Sequence, residues 1–227
     1  MNLLSKQLKT LKSGTVILLD SVTSKGSYCP INLSRDNTDL NNYNIQNPTK
    51  CQSYISTILK KNSAEVAFGG YLEKRNLYGN KANFRKHGHQ RNIHLGIDFW
   101  TKAGTKVLAP LDGVIHSFQN NQTVGDYGPT IILKHEFSDF TFHTLYGHLS
   151  LESLENRYVG MSIKKGEVLA TLGTPDINVN YAPHLHFQII EDMEGMEGDY
   201  PGVCAIDSLA FYSKNCPNPD LLLQIGS

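Results

Sequence analysis

The sequence predicts a mainly β protein, an antiparallel β-sandwich or partly open barrel, with a small α+β extension at its N-terminus. Two observations carry this expectation. Between Arg91 and about Glu191 short apolar-rich runs recur: RNIHLGIDF, TKVLAP, GVIHSFQ, PTIILKHEF, FTFHTLYGHL, EVLATLG and HLHFQII. They are separated by turn-forming stretches such as AGT, LDG, GDYG and KKG, the spacing of an all-β domain rather than of alternating strands and helices. Several of the runs also alternate polar and apolar residues, the period of a half-buried strand. With 227 residues, the chain can bury a substantial core.

Taken in order, the chain begins with Leu3, Leu4, Leu8 and Leu11 interrupted by lysines and polar residues, which predicts a short helix, followed by a strand at Thr15 to Leu19. That interruption denies the segment the apolar centre of a secretory signal peptide, and no run approaches a membrane span, so the expectation is a cytoplasmic protein with no membrane partner. Asp36 to Asn47 is dense in Asn and Asp, which favour turns. Asn47-Pro48 then reads as a helix start, with Asn as N-cap and Pro in the first turn, and Cys51, Tyr54, Ile55, Ile58 and Leu59 follow on one face. Residues 1–68 are expected to form an accessory segment packed on the main domain.

Residues 69–90, rich in Gly, Asn and basic residues, read as a loop or linker ending in FRKHGHQR, where Gly88 and the flanking charges place His87 and His89 on an exposed surface. Residues 91–191 are the β core, with one short helix expected at Leu151 to Tyr158. Residues 192–227 read as a C-terminal extension packed on that core, without recognisable chemistry. Lys+Arg and Asp+Glu are both 21, so no overall field favours nucleic acid, and partner choice must come from a site. Cys29, Cys51, Cys204 and Cys216 form no C-x-x-C pair and are expected as free thiols, with Cys204 and Cys216 the first pair to examine for a bridge.

The chemistry concentrates in two runs. On an extended strand His94, Gly96 and Asp98 share one side, and in PHLHFQI so do His184 and His186. His94 and Asp98 can supply two ligands to one zinc ion, Gly96 leaves room beside them, and His186 is a third. Two imidazoles and one carboxylate leave the ion net positive, a good Lewis acid able to bring a water's pKa to about 7. No H-E-x-x-H motif supplies a glutamate base, so histidine has to be considered for the proton transfer. His184 is one choice; His148, expected on a strand face with Thr144 and Tyr146, is another.

His116, His135 and His143 read as structural or solvent-facing. His135 aligns with core positions Ile131 and Leu133, and His143 has the opposite strand parity from His148. No G-x-S-x-G elbow suggests a serine nucleophile. The residues alone point to metal-assisted hydrolysis, with a non-catalytic peptide- or partner-binding regulator as the alternative. A phosphohistidine carrier fits less well beside Asp98.

His94-Leu-Gly-Ile-Asp98, followed by AGTKVLAPLDGVI, TLYGHLS, IKKGEVLATLG and PHLHFQI, resembles the lysostaphin/LytM family of zinc metallopeptidases over residues 91–190. The resemblance implies a β-rich fold, zinc held by His94, Asp98 and His186, and catalytic roles for His148 and His184. It also implies a peptide substrate, often glycine-containing and drawn from peptidoglycan cross-links, and an extracytoplasmic setting. More weakly, the residues after Glu191 resemble the end of peptidase modules fused to an aminotransferase in larger bacterial proteins, which implies a cytoplasmic substrate. A further expectation is that the Asn-rich segment covers the groove and offers an Asn as fourth zinc ligand, so that removing residues 1–68 raises activity.

Overall fold

The period-two runs become strands of one large sheet in a computed structural model that describes residues 3–11, 18–20, 27–76, 85–86, 89–123 and 125–225. In chain order the strands are β1 (Tyr28–Pro30), β2 (Val66–Gly69), β3 (Arg85–Lys86), β4 (His89–Gln90), β5 (Ile93–His94), β6 (Ile97–Trp100), β7 (Lys106–Leu108), β8 (Gly113–Asn121), β9 (Gly128–Glu136), β10 (Thr141–Gly147), β11 (Ser162–Ile163), β12 (Val168–Thr171), β13 (His184–Ile190) and β14 (Val203–Cys204). Eight of them form a mixed sheet in the order β1-β2-β6-β13-β10-β9-β8-β11. β1 and β2 run parallel, and the other pairings of this sheet are antiparallel. The sheet does not close into a barrel; β1 and β11 are its edges.

The two faces of the sheet have different work. One carries Ile97, Phe99, Leu185, Phe187, Ile189 and Tyr146 into the main core, where Val107, Leu169 and Ala170 from the separate β7–β12 pair meet them. This is the sandwich-like layer that the alternation predicts. The other face is covered in two places. Cys51, Tyr54 and Ile55 of α2 (Pro48–Asn62) pack with Leu33, Ala67 and Trp100 at one end. Leu145, Ile190, Tyr200, Cys204 and Cys216 pack at the other. The cleft described below lies between these two covers.

Helix α2 starts where the sequence places it: Asn47 accepts from the backbone N–H of Lys50 at 3.0 Å, and Pro48 occupies the first turn. Leu4 and Leu8 of α1 (Leu3–Thr10) are buried in the main core. The expected strand at Thr15 to Leu19 lies mostly outside the described residues, but Leu19 bridges Val107. Within the expected loop over 69–90, several of the described residues pair with the rest of the chain or with one another. Ser34 bridges Arg75, Lys74 bridges Ile93, and β3 pairs with β4; His87 and Gly88 lie outside the described residues. The short helix expected at Leu151 to Tyr158 is a single turn of 3-10 helix, Leu151–Leu154. The C-terminal extension contributes β14, α3 (Leu209–Asn215) and α4 (Asp220–Leu223). No helix among the described residues is long and apolar enough to cross a membrane.

The N-terminal segment is woven into the sheet, because β2 is hydrogen-bonded between β1 and β6. Its removal exposes the edge of β6 and uncovers Trp100, so loss of residues 1–68 is expected to lower activity rather than raise it.

His135 is a core residue, fully buried, with Nδ1 2.8 Å from the Asp112 carbonyl and Nε2 2.7 Å from Thr144 Oγ1. Burial pushes its pKa down from 6.5 to about 4. Between those values the unfolded chain holds the extra proton, so this contribution is complete above 6.5 and is lost as pH falls towards 4, at a total cost of about 3 kcal/mol. His143, lowered to about 4 by burial and by its neighbour His116, steepens the same dependence. Urea denaturation across this range is expected to show the loss, and His135→Gln to flatten it.

Candidate metal centre

The register of β6 against β13 builds the site. His186 faces Asp98 across the ladder and His184 faces Trp100. His94 arrives differently. The expected continuous strand from Arg91 to Phe99 is broken at Leu95 and Gly96, so that β5 pairs with β14 while β6 enters the large sheet. The break still delivers the histidine: His94 Nε2 lies 3.2 Å from Asp98 Oδ1 and 3.0 Å from His186 Nδ1, and His186 Nδ1 lies 3.0 Å from Asp98 Oδ1.

Gly96 is required by close approach. A Cβ there would stand 2.6 Å from the Phe187 carbonyl oxygen and 2.8 Å from Cε1 and Nε2 of His186. The sequence suggests that Gly96 clears space beside the ion; the structure shows that it also clears the His186 ring and the β13 backbone. Gly96→Ala is expected to cost about 1–3 kcal/mol of stability through overpacking and to weaken metal binding, both measurable by chemical denaturation with and without zinc.

The three ligand atoms suit a cation. His94 Nδ1 is 3.1 Å from the Gly70 carbonyl, so it carries the proton and leaves Nε2 as an acceptor. His186 Nε2 is 2.9 Å from Gln188 Oε1, which leaves Nδ1 as an acceptor. With Asp98 Oδ1, three lone pairs converge where no neutral hydrogen-bonding scheme satisfies all of them, and a metal ion does. These are the atoms with which His94, Asp98 and His186 could hold a metal, and all three residues are buried.

Electrostatics hold His94 and Asp98 in protonation states able to accept a cation. Burial, reinforced by the Arg75 guanidinium, pushes His94 down to about 4. Burial alone would raise the Asp98 carboxyl, but His94 and Arg75 together hold it well below the usual carboxylate range. Burial also lowers His184, whose Nδ1 is 2.7 Å from the Ala182 carbonyl.

His148 is brought to the site by a route that strand parity misses. Thr144 and Tyr146 pair with Ile189 and Phe187 on the core-facing side, so a straight strand would carry His148 there too. Instead β10 ends at Gly147, and His148 adopts φ +63°, which turns it to the opposite face. Its ring centre lies 4.1 Å from that of His184 and 5.3 Å from that of Tyr181. His116 and His143 pack against each other with ring centres 4.9 Å apart and do not join the ligand group.

Both chain extensions wall the cleft. It has a volume of about 320 Å³, with Ile45 and Pro48 contributed by the N-terminal segment and Met196 and Pro201 by the C-terminal extension. The segment from Asp36 to Asn47 borders the cleft through Ile45 and Gln46, not through any of its asparagines, so the expected Asn ligand has no support here. All four cysteines are free and buried; burial pushes Cys51, which borders the cleft, up to about 12, far from a reactive thiolate.

Sequence reasoning missed several supporting residues. Gln188, two positions beyond His186 on the same strand face, could have been found by parity. Tyr127, whose hydroxyl donates to the Tyr200 carbonyl and lies 3.5 Å from His186 Nε2, carries no local signal. Nor do Glu73 and Arg75, which lie in the stretch read as a linker.

Two imidazoles and a carboxylate converge in one cleft with two more histidines alongside, a donor set of the kind that metal-dependent hydrolases use. Comparison with known proteins narrows the class. Residues 92–197 match the model of Peptidase family M23. The chain is 34% identical over 95 residues to a Haemophilus influenzae protein named "Uncharacterized metalloprotease", covering 42% of this chain and 18% of that one. It is 33% identical over 100 residues to the "DD-carboxypeptidase/endopeptidase Mpg" of Neisseria meningitidis, covering 44% and 20%. The chain thus spans about a fifth of the length of these curated relatives.

Among solved structures, the catalytic domain of lysostaphin from Staphylococcus simulans is 28% identical, covering 56% of this chain and 82% of that one, with a TM-score of 0.38. A zinc containing peptidase from Vibrio cholerae is 27% identical, covering 47% and 30%, with a TM-score of 0.36. The matched family and these curated relatives are named for peptidases.

Proposed function

We propose that the protein is a zinc-dependent metalloendopeptidase that hydrolyses short peptide bonds, with glycine-containing or cell-wall cross-link peptides as its substrates. The observation that carries this reading is the convergence of His94 Nε2, Asp98 Oδ1 and His186 Nδ1 beside His148 and His184 in one cleft. One zinc ion at these atoms supplies Lewis acidity, polarising a carbonyl and lowering the pKa of a water to about 7.

The chain's own residues do the rest. The Ala182 carbonyl holds the proton on His184 Nδ1, so Nε2 is the basic nitrogen, and burial keeps the ring neutral. That nitrogen can take a proton from the attacking water and return it to the leaving amine. His148, ring to ring with His184, offers a second imidazole to hydrogen-bond the developing oxyanion. Trp100 stacks on His184 with ring centres 5.3 Å apart and fixes its plane. The small cleft between two walls favours substrates with short side chains flanking the bond.

Zinc analysis coupled to cleavage of a peptide panel, with glycyl bonds and cell-wall stem peptides represented, tests the proposal. One zinc per chain and cleavage within the panel are expected. A zinc-loaded protein that cuts none of the peptides overturns the peptidase assignment.

A further inference from the structure

We infer that Arg75 is a positioning residue for Asp98, and that Glu73 and the backbone of Leu33 hold Arg75 in turn, so that the N-terminal segment supports the metal ligand. The inference rests on the zinc reading of His94, Asp98 and His186 given above.

Arg75 lies outside the family-matched segment and is 1% exposed. Its Nη1 donates to Asp98 Oδ2 at 2.5 Å, and its Nε donates to Glu73 Oε2 at 2.6 Å. The second oxygen of Glu73 accepts the backbone N–H of Leu33 at 2.9 Å. The same stretch is pinned by the N–H of Arg35 on the Lys74 carbonyl at 2.8 Å and by the Ser34–Arg75 bridge. Each carboxylate therefore gives one oxygen to Arg75 and turns the other away: Glu73 towards Leu33, Asp98 Oδ1 towards His94 and His186. A carboxylate held this way offers one oxygen to an ion, and the planar guanidinium fixes its orientation.

The guanidinium carbon also lies 5.5 Å from the ring centre of Trp100, the side chain stacked on His184. One cation thus touches a metal ligand and the ring that backs a proton-transferring histidine. A cation beside a metal ligand would by itself repel the ion. Glu73, paired with Arg75 at 2.6 Å, offsets part of that charge, and the contact contributes orientation. A lysine could replace the charge but not the planar two-carboxylate contact.

The test uses Arg75→Lys and Glu73→Gln in the full chain, with two readouts independent of turnover. Zinc affinity is measured by competition with a chromophoric chelator, and the visible absorption spectrum of the cobalt-substituted protein reports coordination geometry. Arg75→Lys is expected to bind zinc about 10–100-fold more weakly and to shift the cobalt spectrum. Glu73→Gln, which keeps the side-chain shape, is expected to change both in the same direction by less; if Arg75→Lys does not fold, this variant decides alone. Folded variants with wild-type zinc affinity and an unchanged cobalt spectrum overturn the inference and leave the zinc reading intact. A wild-type chain that binds neither ion overturns both.

Discussion

Replacing Asp98 by alanine is expected to remove zinc from the purified protein almost completely, from about one ion per chain to near none by elemental analysis. The effect should be large because Asp98 supplies the site's one negative charge among the three proposed ligands and lies within 3.2 Å of both imidazole nitrogens. Zinc should also cease to stabilise the fold: a ligand present at one hundred times its Kd adds about 2.7 kcal/mol, and that increment vanishes when the site is lost. Asp98→Asn, which keeps the shape and drops the charge, is expected to behave similarly and separates the loss of a ligand from a packing defect. Unchanged zinc content in a folded Asp98→Ala protein would sink the ligand assignment.

The second large effect is expected at His184. His184→Ala should retain its zinc, since His184 is not among the three converging atoms, while kcat falls by about 10²–10⁴-fold with KM little changed. Steady-state kinetics on a cleaved peptide, paired with metal analysis of the same sample, check both halves. A variant that keeps wild-type kcat would move the proton-transfer role to His148 or elsewhere. One that loses zinc would make His184 part of the metal shell. His184→Ala also removes the stacking partner of Trp100, so a change in intrinsic tryptophan fluorescence is expected beside the kinetic loss.

Much of the candidate site was legible in the sequence because Asp98, His184 and His186 sit in regular strands. The alternation in PHLHFQI sends His184 and His186 to one face, and the ladder seats them opposite Trp100 and Asp98. The core runs from β7 to β13 were equally readable, since period-two burial marks strands whatever their order in the sheet. What alternation could not supply was any departure from it. His94 reaches the site after a break at Gly96, and His148 through a left-handed turn, two backbone choices that depend on how β14 and Tyr127 pack against them. The role of residues 66–76 was hidden for a different reason. β2 is four residues long, and Arg75 reaches Asp98 across 23 positions of chain, so no local window contains the interaction. The segment read as a linker therefore supplies the guanidinium that pairs with Asp98.

The distance along the chain between His94 and His186, 92 positions, also sets when the site can exist. During synthesis at about 5–20 residues per second, the N-terminal segment, β6 and the Arg75 contact can all form several seconds before β13 leaves the ribosome. Until then His94 and Asp98 form only part of the proposed binding set, and the long loop between them and His186 still has to close. On the zinc reading, capture of the ion would be a late event, possible only after most of the sheet has been assembled.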